Sequence, residues 1–188
     1  MATPEQGKNY SYADWETWEG RWELINGKAY DMTPVPSSEH QFVVGELYFS
    51  LRRFFQNKQC FVFVAPFDVF LGQKDDEEAP DDIVHPDIAI ICDKKQIRKK
   101  GGYGAPALVV EVLSPSTALK DDNEKFYAYQ RHGVREYWIV DAANQMVHVY
   151  YLQEGTYQRI ATYGQQDTLH SAQFKELSIP LAPLFAWS

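Results

Sequence analysis

The sequence has few of the features that mark exported, membrane-bound or disulfide-rich proteins. Its 188 residues include only two cysteines, Cys60 and Cys92. They are too few for a disulfide scaffold, and their spacing is not that of a zinc or redox motif. The chain has no apolar run of about 18 residues, and its polar first residues do not resemble a signal peptide. We therefore expect two buried, reduced thiols in a cytoplasmic protein with no membrane segment.

An excess of positive charge is also missing. The net charge is −8 and the isoelectric point is about 5.1. This balance counts against a protein that holds nucleic acid mainly by neutralising its phosphates. The charges are nevertheless uneven, because residues 75–82 form an acidic loop and five cations follow closely between residues 94 and 100 (Lys94, Lys95, Arg98, Lys99, Lys100). Both runs are typical of solvated surface loops.

The remaining composition is that of an ordinary globular protein. Hydrophobic residues make up 45% of the chain and aromatic residues 15%. A chain of this length can bury a core without a disulfide or a metal, so we predict one domain over residues 1–188. The sequence does not decide between a monomer and a homodimer, because aromatic side chains near the N-terminus and in residues 184–187 could pack within one chain or against a second copy.

Local patterns predict the elements of the first half. Residues 11–19 fit a short amphipathic helix, and Asn26-Gly27 predicts a β-hairpin because both residues tolerate positive φ. A helix is expected from Ser37 or Ser38 to about Gln56. Residues 60–71 favour a strand that is broken at Pro66, since proline cannot donate a backbone hydrogen bond.

The second half alternates buried strands with a helix. Residues 88–92 and 107–113 are continuous apolar runs, as in strands covered on both faces. A helix is expected from Ser116 or Thr117 to His132, before Gly133. Residues 136–140 and a hairpin around Glu154-Gly155 follow. This order predicts an α/β fold of three layers with a central mixed β-sheet.

Glu111 is the most informative polar residue, because it interrupts an apolar strand. An unpaired carboxylate there would cost several kcal/mol, so it needs either a metal cation or a buried salt bridge. Asp87 stands at the start of the strand over residues 88–92. If that strand runs antiparallel to residues 107–113, Asp87 and Glu111 meet at one end of the sheet. Asp87 could equally be a turn or cap residue.

An ordered series of motifs resembles one protein family. The series comprises Trp22 to Gly27 (WELING), Ser38 to His40 (SEH), Pro86-Asp87, Glu111 to Thr117 (EVLSPST), Asp121, Lys125, Tyr129, Gly133-Val134 and Glu136 to Trp138 (EYW). It is similar to the Uma-two family of restriction endonucleases over about residues 12 to 152. The resemblance implies the restriction-endonuclease-like fold of the PD-(D/E)xK nucleases. It also implies DNA as the substrate and Mg²⁺, or Mn²⁺, as the cofactor.

In that superfamily an Asp and a Glu bind the metal, and a nearby lysine assists the water that attacks phosphorus. The resemblance assigns the metal ligands to Asp87 and Glu111. Two residues beyond Glu111, where the lysine usually stands, this chain has Leu113. Lys125 on the following helix is the candidate replacement. Its alternative role is an ordinary helix ion pair with Asp121, four residues earlier.

Two further residues are accessory candidates. Glu23 beside the hairpin turn is a possible third metal ligand, and His40 could contact the substrate or transfer a proton. Their alternatives are a solvent-facing strand residue and a helix-cap residue. The sequence thus predicts a Mg²⁺-dependent endonuclease that hydrolyses phosphodiester bonds in DNA. The alternative is an inactive nuclease fold that serves as a nucleic-acid or protein adaptor, which the acidic charge and the missing lysine favour.

Overall fold

The computed structural model describes residues 3–5, 7–32, 35–72, 79–113 and 121–187. The predicted helix start at Ser116 or Thr117 and most of the acidic loop lie outside the described residues. The helices are α1 (Tyr12–Trp15), α2 (Ser38–Phe55) and α3 (Asp121–His132). Ser11 and Ser37 cap α1 and α2 by accepting hydrogen bonds from backbone amides of the first turn. The first helix is therefore shorter than the predicted residues 11–19.

Thirteen strands are assigned in the described residues, and most are short. They are β1 (Trp22–Ile25), β2 (Lys28–Asp31), β3 (Phe61–Val64), β4 (Val69–Leu71), β5 (Asp82–Val84), β6 (Ile88–Ile91), β7 (Gly102–Tyr103), β8 (Leu108–Leu113), β9 (Glu136–Asp141), β10 (Met146–Gln153), β11 (Thr156–Gly164), β12 (Thr168–His170) and β13 (Ser178–Pro180). A 3₁₀ turn, Lys94–Gln96, precedes β7. The predicted hairpin at Asn26-Gly27 is confirmed, with both residues at positive φ.

A six-stranded mixed sheet in the order β11-β10-β9-β8-β6-β3 forms the centre of the fold. Strands β8 and β9 are parallel, and α3 connects them, as a parallel pair requires a crossover. The remaining pairs are antiparallel, including β6 with β8. The predicted α/β class with a central mixed sheet is therefore confirmed.

A second sheet, in the order β2-β1-β5-β4-β7, packs against the same face of the central sheet as α3. Helix α2 and the C-terminal hairpin β12-β13 cover the opposite face. The sequence patterns did not predict this second sheet, because residues 60–71 enter two sheets. The chain leaves the central sheet after β3, and Pro66 lies between β3 and β4. Proline lacks the amide hydrogen that a continuing strand would need.

Buried polar groups tie the outer segments to these sheets. Glu136 is fully buried at the start of β9, and its carboxylate accepts hydrogen bonds from Ser171 Oγ and from the backbone amides of Ala172 and Gln173. Asp82 is 1% exposed, so the expectation of a solvated loop was wrong for this residue. It accepts hydrogen bonds from Arg131 and His132, and it thereby ties β5 to the end of α3.

The cysteine prediction was also wrong. Cys60 and Cys92 are half-buried and form a disulfide, with a Cα–Cα distance of 3.9 Å. Cys60 precedes β3 and Cys92 follows β6, and the antiparallel pairing of Phe61 with Ile91 places the two cysteines opposite each other. That register is not visible in a sequence separation of 32 residues. No described helix has the length and hydrophobicity needed to cross a membrane.

Candidate active site

The register of β6 and β8 brings Asp87 next to Glu111. Ile88 pairs with Val110, so Asp87, one residue before β6, lies opposite Glu111. Asp87 Oδ2 accepts a hydrogen bond of 2.8 Å from the amide of Val112. Side chains alternate along a strand, and Val109 and Ala89 pack on the face that α3 covers. Asp87 and Glu111 therefore belong to that same face, and the two predicted strands are adjacent and antiparallel, as expected.

Lys125 connects the two sheets through its ammonium group. It lies on α3, is 5% exposed, and places Nζ 3.0 Å from Glu111 Oε1 and 2.8 Å from Glu23 Oε1. The predicted alternative was an ion pair with Asp121, whose side chain lies outside the described part of the chain. One turn further along α3, the hydroxyl of Tyr129 donates a hydrogen bond of 2.7 Å to Glu111 Oε1. Glu111 is thus held by two side chains of α3.

Glu23 reaches the same cluster from the second sheet. It is 1% exposed, so it is not the solvent-facing strand residue of the alternative prediction. Strand β1 pairs with β5, and this pairing lets Glu23 Oε1 accept a hydrogen bond of 2.7 Å from the backbone amide of His85. Glu23 Oε2 is buried and has no hydrogen-bond partner among the residues that the structure describes. Buried polar atoms normally have a partner, so this carboxylate oxygen is where a cation or a hydrogen-bond donor is most expected.

His40 contacts the cluster from α2. Its backbone amide donates to Ser37 Oγ, and its ring Nε2 lies 3.1 Å from Asp87 Oδ2. The ring is buried, and in the described part of the chain Nδ1 has no hydrogen-bond partner. Burial lowers the pKa of His40, but the hydrogen bond and the charge of Asp87 outweigh burial and raise it overall. His40 is therefore predisposed to carry a proton beside Asp87.

The cluster brings together three carboxyl groups and one lysine. Burial raises the pKa of Glu111 to about 8, and the charges of Asp87 and Glu23 add to this rise while Lys125 opposes it. For Lys125, burial lowers the pKa, but Glu111 and Glu23 together outweigh burial and raise it. The ammonium is therefore retained, and Glu23 and Glu111 share it. When Glu111 also ionises, the buried carboxylates outnumber the ammonium, and a bound cation would offset this excess.

The residues fit Mg²⁺ in ligand type. Mg²⁺ prefers oxygen ligands, keeps several waters and usually takes one or two protein carboxylates. Within the described ranges, no group of three or more His, Cys, Asp or Glu side chains is arranged to hold a metal ion. Asp87, Glu111 and Glu23 therefore do not form a ready-made cage of three ligands. Their metal roles stay predictions, and a water-rich site with two carboxylates is the arrangement that suits the observed geometry.

Tyr129 and His85 complete the site, and neither was among the candidate residues predicted from the sequence. Tyr129 is fully buried and donates to Glu111. Its position four residues after Lys125 places both on one face of α3, a spacing that could have revealed it. His85 contacts Glu23 through its backbone amide, a role that no side-chain pattern encodes. Its proximity to Asp87 in sequence was the available signal. Ser114, Ser116 and Thr117 lie outside the described residues.

Comparisons with known proteins agree with this fold. A crystal structure from Anabaena variabilis, described as a putative nuclease belonging to DUF820, superposes with a TM-score of 0.73 at 20% sequence identity. The match covers 94% of this chain and 98% of that one, and at this identity it shows the fold alone. The uncharacterized protein slr1290 of Synechocystis sp. is 31% identical over 85 residues, which are 45% of each chain. The aligned part is thus less than half of that relative's length.

A family model covers far more of the sequence than that relative. It matches residues 10–182 and is described as "Uma2: Putative restriction endonuclease". The match includes the carboxylates of the cluster, Lys125 and His40. It also includes every strand of both larger sheets and the helices α1, α2 and α3. The chain therefore belongs to the Uma2 family of restriction endonuclease-like proteins.

Proposed function

We propose that this protein is a Mg²⁺-dependent endonuclease that hydrolyses phosphodiester bonds in DNA. The observation that carries the proposal is the buried cluster in which Glu23 and Glu111 share the ammonium of Lys125 next to Asp87. Three acids and one lysine are the groups that a metal-assisted attack on phosphorus requires. They come from β1, β8, α3 and the start of β6, so the whole fold is needed to bring them together.

Asp87 and Glu111 would hold the cation. Glu23, with its unpartnered Oε2, would ligate it directly or through water. Bound there, Mg²⁺ (or Mn²⁺) supplies Lewis-acid polarisation of a phosphate oxygen and a lowered pKa for the attacking water. The hydrogen bond from the Val112 amide fixes the Asp87 carboxylate against β8, and the Tyr129 hydroxyl fixes that of Glu111. Both carboxylates are therefore oriented before the substrate arrives.

Lys125 would act as a fixed positive charge. Its raised pKa means that the ammonium keeps its proton at neutral pH, which makes it unsuitable as a general base. It can instead orient water or stabilise the negative charge that develops on phosphate. His40 lies on the other side of Asp87, where it orients that carboxylate and carries a proton. This assignment gives every buried charged group of the cluster a role.

A divalent-dependent cleavage assay tests the proposal. Purified protein would be incubated with single-stranded DNA, duplex DNA and RNA, with Mg²⁺, Mn²⁺ or a chelator. We expect cleavage of DNA that requires the cation and falls by at least about 100-fold in Glu111→Gln and in Asp87→Asn. Glu176→Gln is the matched control, because Glu176 is exposed and pairs only with Lys58 in the described structure.

The competing function is that of an inactive nuclease fold that binds nucleic acid or protein. One observation favours it: the lysine of the cluster is already fully engaged by two carboxylates, as in a structural ion pair. Mg²⁺ titration of the melting temperature separates the two, because a ligand that prefers the folded state stabilises it. Absence of both cleavage and stabilisation by Mg²⁺ would refute the nuclease function and leave the adaptor function as the remaining candidate.

The proposal also covers the cellular location of the protein and its oligomeric state. A DNA nuclease of this kind would act in the cytoplasm, and a homodimer would place two sites on the two strands of a duplex. Leu184 and Phe185 are buried within their own chain, so they are not available for that contact. Trp187 is 53% exposed and is the remaining aromatic of that segment. Sedimentation at micromolar concentration tests the dimer, and a mass of one chain would exclude it.

A further inference from the structure

A cavity of about 320 Å³ lies next to the carboxylate cluster. Three tryptophans contribute to its wall, together with Asp68 and His85 (Trp15, Trp18, Trp22). Two of the indole N–H groups are already used, since Trp15 donates to the carbonyl of Trp22 and Trp22 donates to that of Glu19. These hydrogen bonds fix the rings in place. The indoles therefore offer a ligand mainly ring surface, which suits a flat aromatic group.

The polar part of the wall consists of His85 and Asp68. His85 is 5% exposed, and within the described residues neither of its ring nitrogens has a hydrogen-bond partner. Both nitrogens are inaccessible to solvent, and Nε2 lies 3.1 Å from Asp68 Oδ1, so His85 positions Asp68 and does not contact a ligand itself. Asp68 is part-exposed and can accept a hydrogen bond from a ligand in the cavity. The amino group or ring N–H of a nucleobase is such a donor.

Charged residues of both signs line the cavity. Glu16 and Asp68 contribute carboxylates, and Arg21 is exposed and contributes a guanidinium. Lys100 pairs with Glu16, with Nζ 3.0 Å from Glu16 Oε1. The amide of Gly102 donates to the carbonyl of Asp68 at 2.9 Å, which places the end of the basic segment over residues 94–100 next to the cavity. Arg21 is therefore the group of the wall that can attract a phosphate.

The cavity and the carboxylate cluster share part of their framework. Trp22 lines the cavity and immediately precedes Glu23, and His85 lines the cavity while its amide donates to Glu23 Oε1. We propose that the cavity is a subsite that stacks one nucleobase of the strand to be cleaved, with Arg21 facing its phosphate. This proposal rests on the nuclease function, because it assigns the cavity to one base of the substrate strand next to the metal site. Stacking of bases on aromatic rings, with cations along the backbone, is how proteins bind single strands without reading their sequence.

Calorimetric titration with the four deoxynucleoside monophosphates, in the absence of divalent cations, tests the subsite. We expect saturable binding of at least one of them. Trp18→Leu should weaken it by roughly 5- to 150-fold, the range for stacking one base on an aromatic ring, whereas Trp18→Phe should retain most of the affinity. Asp68→Asn should weaken binding as well. Asp68 is part-exposed, so Asp68→Asn should fold even if Trp18→Leu does not, and it then serves as the second test.

A charge comparison supplies the matched control. Arg21→Gln should weaken a monophosphate but not the corresponding nucleoside, whereas Arg159→Gln, at an exposed position on β11, should change neither. The subsite is wrong if no monophosphate binds saturably, or if folded Trp18→Leu and Asp68→Asn both bind like the wild type. Binding of tetramethylammonium in place of nucleotides would also overturn it, because the cavity would then be a cation cage.

A cleavage assay on the same proteins separates this proposal from the nuclease function. Cleavage of DNA by a wild type that binds no mononucleotide refutes the subsite alone. Mononucleotide binding that depends on Trp18, without any Mg²⁺-dependent cleavage, supports the subsite and refutes the nuclease function. If the wild-type protein neither binds mononucleotides nor cleaves DNA, the subsite and the nuclease function are both refuted.

Discussion

Replacement of Lys125 by methionine is the most direct test of the buried cluster. The change keeps the length of the side chain but removes the ammonium that Glu23 and Glu111 share at 2.8 and 3.0 Å. Loss of one partner from a buried ion pair costs about 3 to 5 kcal/mol. For a chain of this size, each kcal/mol corresponds to about 2–4 °C, so the melting temperature should fall by about 6–20 °C.

The loss should depend on pH in a definite direction. In Lys125→Met, Glu111 loses the positive charge that opposes its raised pKa, so its folded pKa lies still further above the unfolded one. Acids of this kind stabilise the fold most below their unfolded pKa, and the stability is lost as pH rises through the folded pKa. Even with its lysine, Glu111 has a pKa of about 8. The deficit relative to the wild type should therefore be largest above pH 8 and should shrink towards pH 5.

Urea unfolding at several pH values measures this difference. Lys58→Met is the matched control, because Lys58 pairs with exposed Glu176 and its loss should cost less than about 1 kcal/mol. Adding Glu111→Gln to Lys125→Met should recover much of the loss, since one buried charge is then removed. A single Lys125→Met variant as stable as the wild type at pH 8 would refute the excess of buried negative charge in the cluster.

Three further predictions follow from other groups. Cys60→Ser combined with Cys92→Ser should lower the unfolding free energy by about 3–4 kcal/mol, measured in urea against the oxidised wild type, and equal stability would show that the thiols are not paired. Burial raises the pKa of Asp82, but hydrogen bonds from His132, the Asn26 amide and Arg131 outweigh burial and lower it. Asp82 therefore stabilises the fold above its unfolded pKa, and this stabilisation is lost in acid. Asp82→Asn should cost about 2–4 kcal/mol at pH 7 and progressively less towards pH 3 in acid titrations of the unfolding midpoint. Glu111→Gln should gain about 3–4 kcal/mol relative to the wild type between pH 5 and 8, because the raised pKa of Glu111 makes the wild type less stable as pH rises, and parallel pH curves would contradict this.

Much of the fold could be predicted because local chemistry encodes it. The Asn26-Gly27 turn, the cap at Ser37 and the apolar runs of β6 and β8 follow from backbone preferences and burial. The division into two sheets could not be predicted in the same way. It depends on which strands pair over long distances, and the apolar pattern of residues 60–71 is the same in one sheet or two. The disulfide between Cys60 and Cys92 was missed for the same reason.

The site was predictable where one residue conflicts with its surroundings. Glu111 lies in an apolar strand, so the sequence predicted that its carboxylate needs a partner. In the structure, Lys125 and Tyr129 donate hydrogen bonds to this carboxylate. The burial of Glu23 could not be read from a short amphipathic hairpin, because only the packing of the second sheet decides which face is covered. His85 was out of reach since it contributes a backbone amide, and every residue except proline has one.

The anchoring of the C-terminal segment by Glu136 has a consequence for making shorter versions of this protein. A chain that ends before Ser171 would leave this buried carboxylate without three of its donors and would uncover part of the α2 face of the central sheet. Even an end at residue 182, where the family match stops, removes the buried side chains of Leu184 and Phe185. During synthesis, the central sheet therefore cannot reach its final packing until Phe185 has left the ribosome. Expression designs should keep every residue up to Phe185 and place any fusion or tag beyond it.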